Sequence, residues 1–189
     1  MNSQAEGQAE KPPTLVLIVG PIAAGKSTVA RALAQQLRLS GGKVAVVELD
    51  QIAEMALPTL PDWDFAHSIF GSVVGQWLRS PLDIVIAEGP GNRSEVDGVL
   101  AQIPPAATVV TVVLTSSLEV AFSRAQEDPR RGISRSHQFL SDEFRRWAHD
   151  MTFIEHDLVI DTGFSSVDHS IARVRSQLQR IRLRRPAAR

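Results

Sequence analysis

Three observations predict a three-layer α/β domain built on one parallel sheet. Short apolar, β-branched runs recur five times along the 189 residues, of the kind a strand shows when helices cover both faces of its sheet. Between them lie stretches with apolar residues every three or four positions, the period of an amphipathic helix. A glycine-bearing loop joins the first run to the first of these helices. Alternation of the two patterns dictates parallel strands, right-handed crossovers and helices on both sides.

The first 13 residues, rich in Gln, Glu and Ala and ending Lys11-Pro12-Pro13, lack apolar periodicity and read as a flexible leader. One domain is expected over 14–182, with a basic tail at 183–189. Leu15 to Val19 is the first strand. Val29, Leu33 and Leu37 line one face of the next helix, which stops near Ser40-Gly41-Gly42. Val44 to Leu49 is the second strand, ending on Asp50. Asp62 caps a helix whose apolar stripe is Ile69, Phe70, Val73 and Trp77, and Ser80-Pro81 ends it before the strand Ile84 to Ala87. Ser94 caps a short helix ahead of Ile103-Pro104-Pro105. Thr108 to Leu114 is the fourth strand, and Ser116 with Glu119 reads as a capping box for a helix that ends at Asp128-Pro129. A basic segment from Arg130 to Ser136 leads into a helix carrying Leu140, Phe144, Trp147 and Met151. Leu158 to Ile160 is the fifth strand. Val167, Ile171, Val174, Leu178 and Ile181 mark the last helix.

Composition narrows the function. With 43% hydrophobic and 22% charged residues the chain can bury a core, which excludes collagen-like and disordered classes. Twenty Lys plus Arg against 21 Asp plus Glu leave a net charge of -1. No global basic field therefore argues for nucleic acid or a membrane surface, and any anion site is local. The absence of cysteine excludes disulfides, a thiol nucleophile, iron–sulfur clusters and Cys-ligated zinc. His67, His137, His149, His156 and His169 show no metal-ligand spacing. No apolar run approaches a membrane span, and the N-terminus, Met-Asn-Ser-Gln-Ala-Glu-Gly, has neither a basic start nor an apolar stretch behind it. A cytoplasmic protein is expected.

The most specific signal is Gly20-Pro21-Ile22-Ala23-Ala24-Gly25-Lys26-Ser27. It fits the G-x-x-x-x-G-K-[ST] phosphate-binding loop and sits between the first strand and the first helix, as that loop requires. The glycines turn backbone N–H groups inward around phosphate oxygens, and the helix N-terminus adds partial positive charge. Lys26 reaches the outer phosphates, Ser27 can ligate magnesium, and Thr28 completes the cradle. Leu39-Ser40-Gly41-Gly42 looks like a transporter-ATPase signature but lies at a helix end, where it is a C-cap. No Asn-Lys-x-Asp motif for guanine is present, so ATP is the expected nucleotide.

In such sheets ligands sit at the carboxyl edge of the strands. Asp50, at the end of the second, is placed to accept a proton from an attacking hydroxyl; its plainer reading is a cap for a short helix through Met55. Glu88 ends the third strand ahead of Gly89-Pro90-Gly91-Asn92-Arg93. It could order a magnesium shell or a substrate hydroxyl, or be a solvated strand end. Met55, Trp63, Phe65, His67, Phe70 and Trp77 concentrate apolar and aromatic character between the two carboxylates. Phe70 and Trp77 are expected to pack, whereas Trp63, Phe65 and His67 could line an acceptor pocket, with Arg93 beside it.

At this point the chain resembles the small P-loop kinases that include chloramphenicol phosphotransferase, the zeta toxins and, more distantly, shikimate and adenylylsulfate kinases. The resemblance rests on Gly20 to Ser27, on Asp50, on Arg124-Ala125-Gln126-Glu127-Asp128-Pro129-Arg130-Arg131-Gly132-Ile133-Ser134-Arg135, and on Asp157-Leu158-Val159-Ile160-Asp161-Thr162. It implies the sheet order 2-3-1-4-5, Asp50 as general base, a lid over the phosphates at about 129–137, and Arg124 with the loop after Thr162 flanking adenine. The lid also follows from chemistry, because phosphoryl transfer spreads negative charge that guanidinium donors stabilise. Arg131 and Arg135 are the favoured donors, ahead of Arg130.

Three functions stay open on the sequence: an ATP- and magnesium-dependent kinase of a small hydroxyl compound, a nucleic-acid end kinase, and a regulatory ATP-binding module without an acceptor. Near-neutral charge weighs against the second, and Asp50 with the lid weighs against the third. The acceptor and the oligomeric state are not legible.

Overall fold

The computed structural model describes residues 12–60 and 62–184. Five strands, β1 (Thr14–Val19), β2 (Val44–Glu48), β3 (Ile84–Glu88), β4 (Thr108–Thr115) and β5 (Leu158–Asp161), form one sheet in the order β2-β3-β1-β4-β5. Every pairing is parallel. The helices are α1 (Lys26–Leu39), α2 (Leu49–Glu54), α3 (Trp63–Trp77), α4 (Arg93–Leu100), α5 (Leu118–Glu127), α6 (His137–Asp150) and α7 (Val167–Arg184). A 3-10 segment, Pro129–Arg135, joins α5 to α6.

The alternation of side chains along β1 divides the core between the two faces of the sheet. Leu15, Leu17 and Val19 pack with Phe70, Val74 and Trp147 under α3 and α6, whereas Val16 and Ile18 pack with Leu33, Ile171 and Val174 under α1 and α7. All of β1 is buried, which is why the strand reads as continuous apolar sequence. Its C-terminal end meets the ends of β3 and β4, with Ile18 opposite Glu88 and Val19 opposite Val113. That edge carries the site.

Several expected boundaries shift. β2 stops at Glu48, and Leu49 and Asp50 already belong to α2, because the Leu49 side chain turns into the core, where a Cβ on Gly89 would lie 2.3 Å from it. In α3 the buried face is Ala66, Phe70 and Val74, with Gly71 against α4 and Gly75 against Gln102 just beyond it. Trp77 is therefore 46% exposed and Ile69 51% exposed, not core. Small residues set this packing face, and a reading weighted toward large apolar residues misplaces it. Asn92, not Ser94, caps α4 by accepting from the Glu95 N–H. Ser117, not Ser116, caps α5 by accepting from Val120, since β4 runs on through Thr115 and carries Ser116 beyond the strand end. α7 continues through 183 and 184 into the expected tail. Of the leader, residues 1–11 lie outside the described residues, as do tail residues 185–189; the Pro13 carbonyl accepts from Thr108 N at the sheet. Among the described residues no helix is long and apolar enough to cross a membrane.

Candidate active site

The chain leaves β1 at Gly20, whose φ of 153° and closeness to β4 admit no side chain: a Cβ would lie 2.1 Å from the Leu114 carbonyl oxygen. Ile22 lies midway round the turn, Ala24 N–H bonds the Pro21 carbonyl, and Gly25, at φ 86°, is the N-cap of α1. Asp62, Asn92, Ser117 and Ser136 give α3, α4, α5 and α6 side-chain caps; α1 has none, and no acidic residue in its first turn. Its first N–H groups and the positive end of its dipole therefore face the loop, an arrangement suited to phosphate.

Lys26 folds over this loop. Its Nζ donates to the carbonyls of Gly20 at 2.8 Å and Pro21 at 3.0 Å. Burial lowers its pKa, while the charges of Glu88, Asp50 and Glu95 oppose that shift and Arg131 adds to it.

Glu88 is only 2% exposed, so it is not a solvated strand end. Burial raises its carboxyl pKa; Lys26 and a hydrogen bond from the Ser27 hydroxyl pull it back, and Asp50 and Glu48 push it up. Glu48, opposite Glu88 in register, is itself neutralised by Arg31, whose Nε and Nη2 donate to its two oxygens at 2.7 and 2.5 Å. Asp50 sits in the first turn of α2 and is exposed. The helix caps on Glu48 with no side-chain bond, so Asp50 is not its cap. Thr28 is exposed at the start of α1.

Arg124 and Thr162 tie the far side of the loop. Arg124 Nη1 donates to the Thr162 hydroxyl at 2.9 Å and to the Ala23 carbonyl at 3.3 Å, and Nη2 to the Thr162 carbonyl at 2.8 Å. The Thr162 hydroxyl lies 2.9 Å from the Ala24 carbonyl, to which it donates. In the 3-10 segment Arg131 and Arg135 are exposed and Gly132 has a φ of 50°. The Gln126 amide holds the Arg135 carbonyl at 2.8 Å. The side chain of Arg130 lies outside the described residues.

On the other flank Trp63 and His67, one turn apart on α3, place their ring centroids 6.1 Å apart. His67 Nε2 lies 3.4 Å from Glu95. Phe65 is 59% exposed and, two residues from Trp63, projects from nearly the opposite side of the helix. Arg93 is engaged by both oxygens of Asp97 at 3.0 and 2.8 Å and by the Phe153 carbonyl at 2.7 Å. A cleft of about 330 Å3 opens between α3 and α4, bordered by Asp64, His67, Ser68 and Glu95.

Glu95 is the residue that sequence reasoning missed. It accepts from Gly91 N–H and the Asn92 amide, both at 2.6 Å, and its own N–H bonds Asn92 Oδ1. Asn92-x-x-Glu95 has the spacing of a reciprocal capping box; placing the cap at Ser94 hides it. Among the described residues no group of three or more His, Asp or Glu is arranged to hold a metal by itself. Ser27 in contact with Glu88 is a donor set that suits magnesium carried in on phosphates, which keeps most of its water.

The zeta toxin family model matches residues 2–88, a range that begins ahead of β1, takes in the loop and ends with β3. Among solved structures, shikimate kinase from Acinetobacter baumannii in complex with shikimate is 22% identical, with a TM-score of 0.64 over 92% of this chain and 97% of that one. A gluconokinase from Sinorhizobium meliloti 1021 is 18% identical, with a TM-score of 0.62 over 91% and 94%. Shikimate kinase from Bacteroides thetaiotaomicron is 17% identical, with a TM-score of 0.64 over 88% and 98%. No curated protein sequence gives a significant match. The fold is that of the small P-loop kinases.

Proposed function

We propose that this chain, with its P-loop kinase fold, is an ATP-dependent phosphotransferase that moves the γ-phosphoryl group to a hydroxyl of a small molecule. The observation that carries the reading is the cradle itself: Gly20 pressed against Leu114, an α1 start without a side-chain cap, the Lys26 ammonium folded over the loop and the buried Glu88 at the neighbouring strand end. A regulatory ATP sensor has no need of an exposed carboxylate beside the phosphates.

In this reading the loop N–H groups from Gly20 to Thr28 and Lys26 hold the phosphates, and Arg124 with Thr162 borders the base. Ser27 and Glu88 serve magnesium, which when bound neutralises charge on the phosphate oxygens. Asp50 takes the proton from the acceptor hydroxyl. The acceptor oxygen bonds to the γ-phosphorus as the bond from that phosphorus to the bridging oxygen breaks, and ADP leaves with the electron pair. Arg131 and Arg135 meet the charge on the γ-phosphoryl in flight and help to exclude water. Trp63 is the candidate acceptor contact; Phe65 projects from the other side of α3, and Arg93 is already held by Asp97 and the Phe153 carbonyl.

The test is a screen of hydroxyl compounds for acceptor-dependent ADP release, run on wild type and Lys26→Ala. Loss of a charge-assisted contact worth ~1.5 to 3 kcal/mol should weaken ATP binding, with a larger loss in turnover. Unchanged binding and turnover in Lys26→Ala would sink the assignment.

A further inference from the structure

The chain from β2 to the end of α3, residues 44–77, contains Glu48, Asp50, Glu54, Asp62 and Asp64 and not one lysine or arginine. Four of the cations near this segment already have partners, and Lys43, just ahead of it, stands at the end of β2 away from the Glu48 edge. Arg31 is paired with Glu48, Arg93 with Asp97 and the Phe153 carbonyl, and Lys26 with the loop carbonyls. Arg79 donates to the carbonyls of Gly75 at 2.6 Å and Gln102 at 3.3 Å. Beside His67, the nearest ionisable partner is again an acid, Glu95. The same segment leaves large apolar side chains in water: Met55 is 79% exposed, Leu57 62% and Trp63 51%.

We infer that the acceptor is an alcohol with an apolar body and no acid group. The inference rests on the phosphotransferase reading, and it names the substrate class of that site. An apolar ring or chain gains by covering Met55 and Trp63. A carboxylate or phosphate on the acceptor would shed water without finding a counter-charge, beside carboxylates that repel it. The lid arginines offer no remedy in that reading, since their charge is directed at the nucleotide phosphates. A segment built this way discriminates by repulsion as much as by attraction.

The experiment compares three benzyl alcohols that differ only at the para position: methyl, aminomethyl and carboxylate. Binding of each to the full chain, saturated with magnesium and a non-hydrolysable ATP analogue, is measured by calorimetry, and ADP release with ATP is measured in parallel. The expected result is that the carboxylate binds at least about tenfold more weakly than the methyl compound, a difference of roughly 1.4 kcal/mol, and that the aminomethyl compound binds at least as well as the methyl one. Equal or tighter binding of the carboxylate overturns the inference, and so does failure of all three to bind. Selective binding of the first two without ADP release from any compound supports the charge assignment while counting against phosphoryl transfer. ADP release with the carboxylate alone does the reverse.

Discussion

Around the phosphate loop, Arg124 and Thr162 reach across 101 and 138 residues of sequence to bond the carbonyls of Ala23 and Ala24. On the opposite flank of the same strand edge, Trp63 and Met55 spend half or more of their surface on water. The first region is held by the chain's own bonds, so its donors keep their aim without a ligand, the condition for electrostatic preorganisation. The second keeps apolar surface uncovered, which leaves it free to take its contacts from something else. On the proposed function, the contrast gives the two halves of the reaction different physics: a rigid cradle for the phosphates and an adaptable surface for the acceptor.

Asp50 stands on the border between them, and the largest effect is expected there. Asp50→Asn should lower acceptor-dependent turnover by ~10² to 10⁴, the range for a positioned base, with ATP affinity nearly unchanged by calorimetry. If the variant instead loses thermal stability and nucleotide binding together, Asp50 belongs to the cradle and the division is drawn in the wrong place.

The lid supplies the next effect. Apart from Ile133, which is 68% exposed, the segment has no apolar anchor, so it should open easily in the free protein. Replacing Arg131 and Arg135 by alanine should lower turnover by ~10² and ATP affinity far less. In wild type, magnesium, ATP and acceptor together should slow tryptic cleavage between Arg131 and Gly132. Cleavage that ignores saturating ligand, with normal turnover in the double variant, would reduce the segment to a surface loop.

The same two regions differ in how legible they are in the sequence. The cradle can be read residue by residue, because close approach to Leu114 demands glycine at position 20 and a phosphate clamp demands lysine at 26. The strand order follows from the family resemblance, and the strands from their apolar runs. The acceptor flank reads poorly because α3 packs through Ala66, Gly71 and Gly75, small residues that carry little signal, and because Trp77 stays at the surface. Glu95 escapes notice because a cap placed at Ser94 hides the local Asn92-x-x-Glu95 spacing, and only its approach to His67 is tertiary.

A smaller effect tests the cross-links of the cradle. Arg124→Ala removes three hydrogen bonds to Thr162 and Ala23, and Arg124→Lys cannot restore the forked geometry. Both variants should lower Tm by a few degrees and weaken ATP binding by about tenfold, and both should narrow the preference for ATP over GTP in a competition titration. A full rescue by lysine would mean that charge alone matters here, and that the cradle is less rigidly tied than its bonds suggest.

The smallest effect comes from Glu88, and its sign is the informative part. Burial raises this carboxyl above its ordinary value of 4.5, so the folded chain resists an ionisation that the unfolded chain makes freely. The stability linked to Glu88 is thus fully present below that ordinary value and declines as pH rises through the raised pKa. Glu88→Gln removes the dependence. Without magnesium or nucleotide, its Tm should match wild type near about pH 4 and exceed it slightly near about pH 8, by circular dichroism. The gain stays small because Lys26 and the Ser27 hydroxyl stabilise the ionised carboxylate. Magnesium-dependent turnover should fall in the same variant, the mark of a group kept for function at a cost in stability. If the variant is less stable than wild type near about pH 8, the pair with Lys26 outweighs burial. Glu88 would then fasten the cradle, as Arg124 does, in addition to serving the metal.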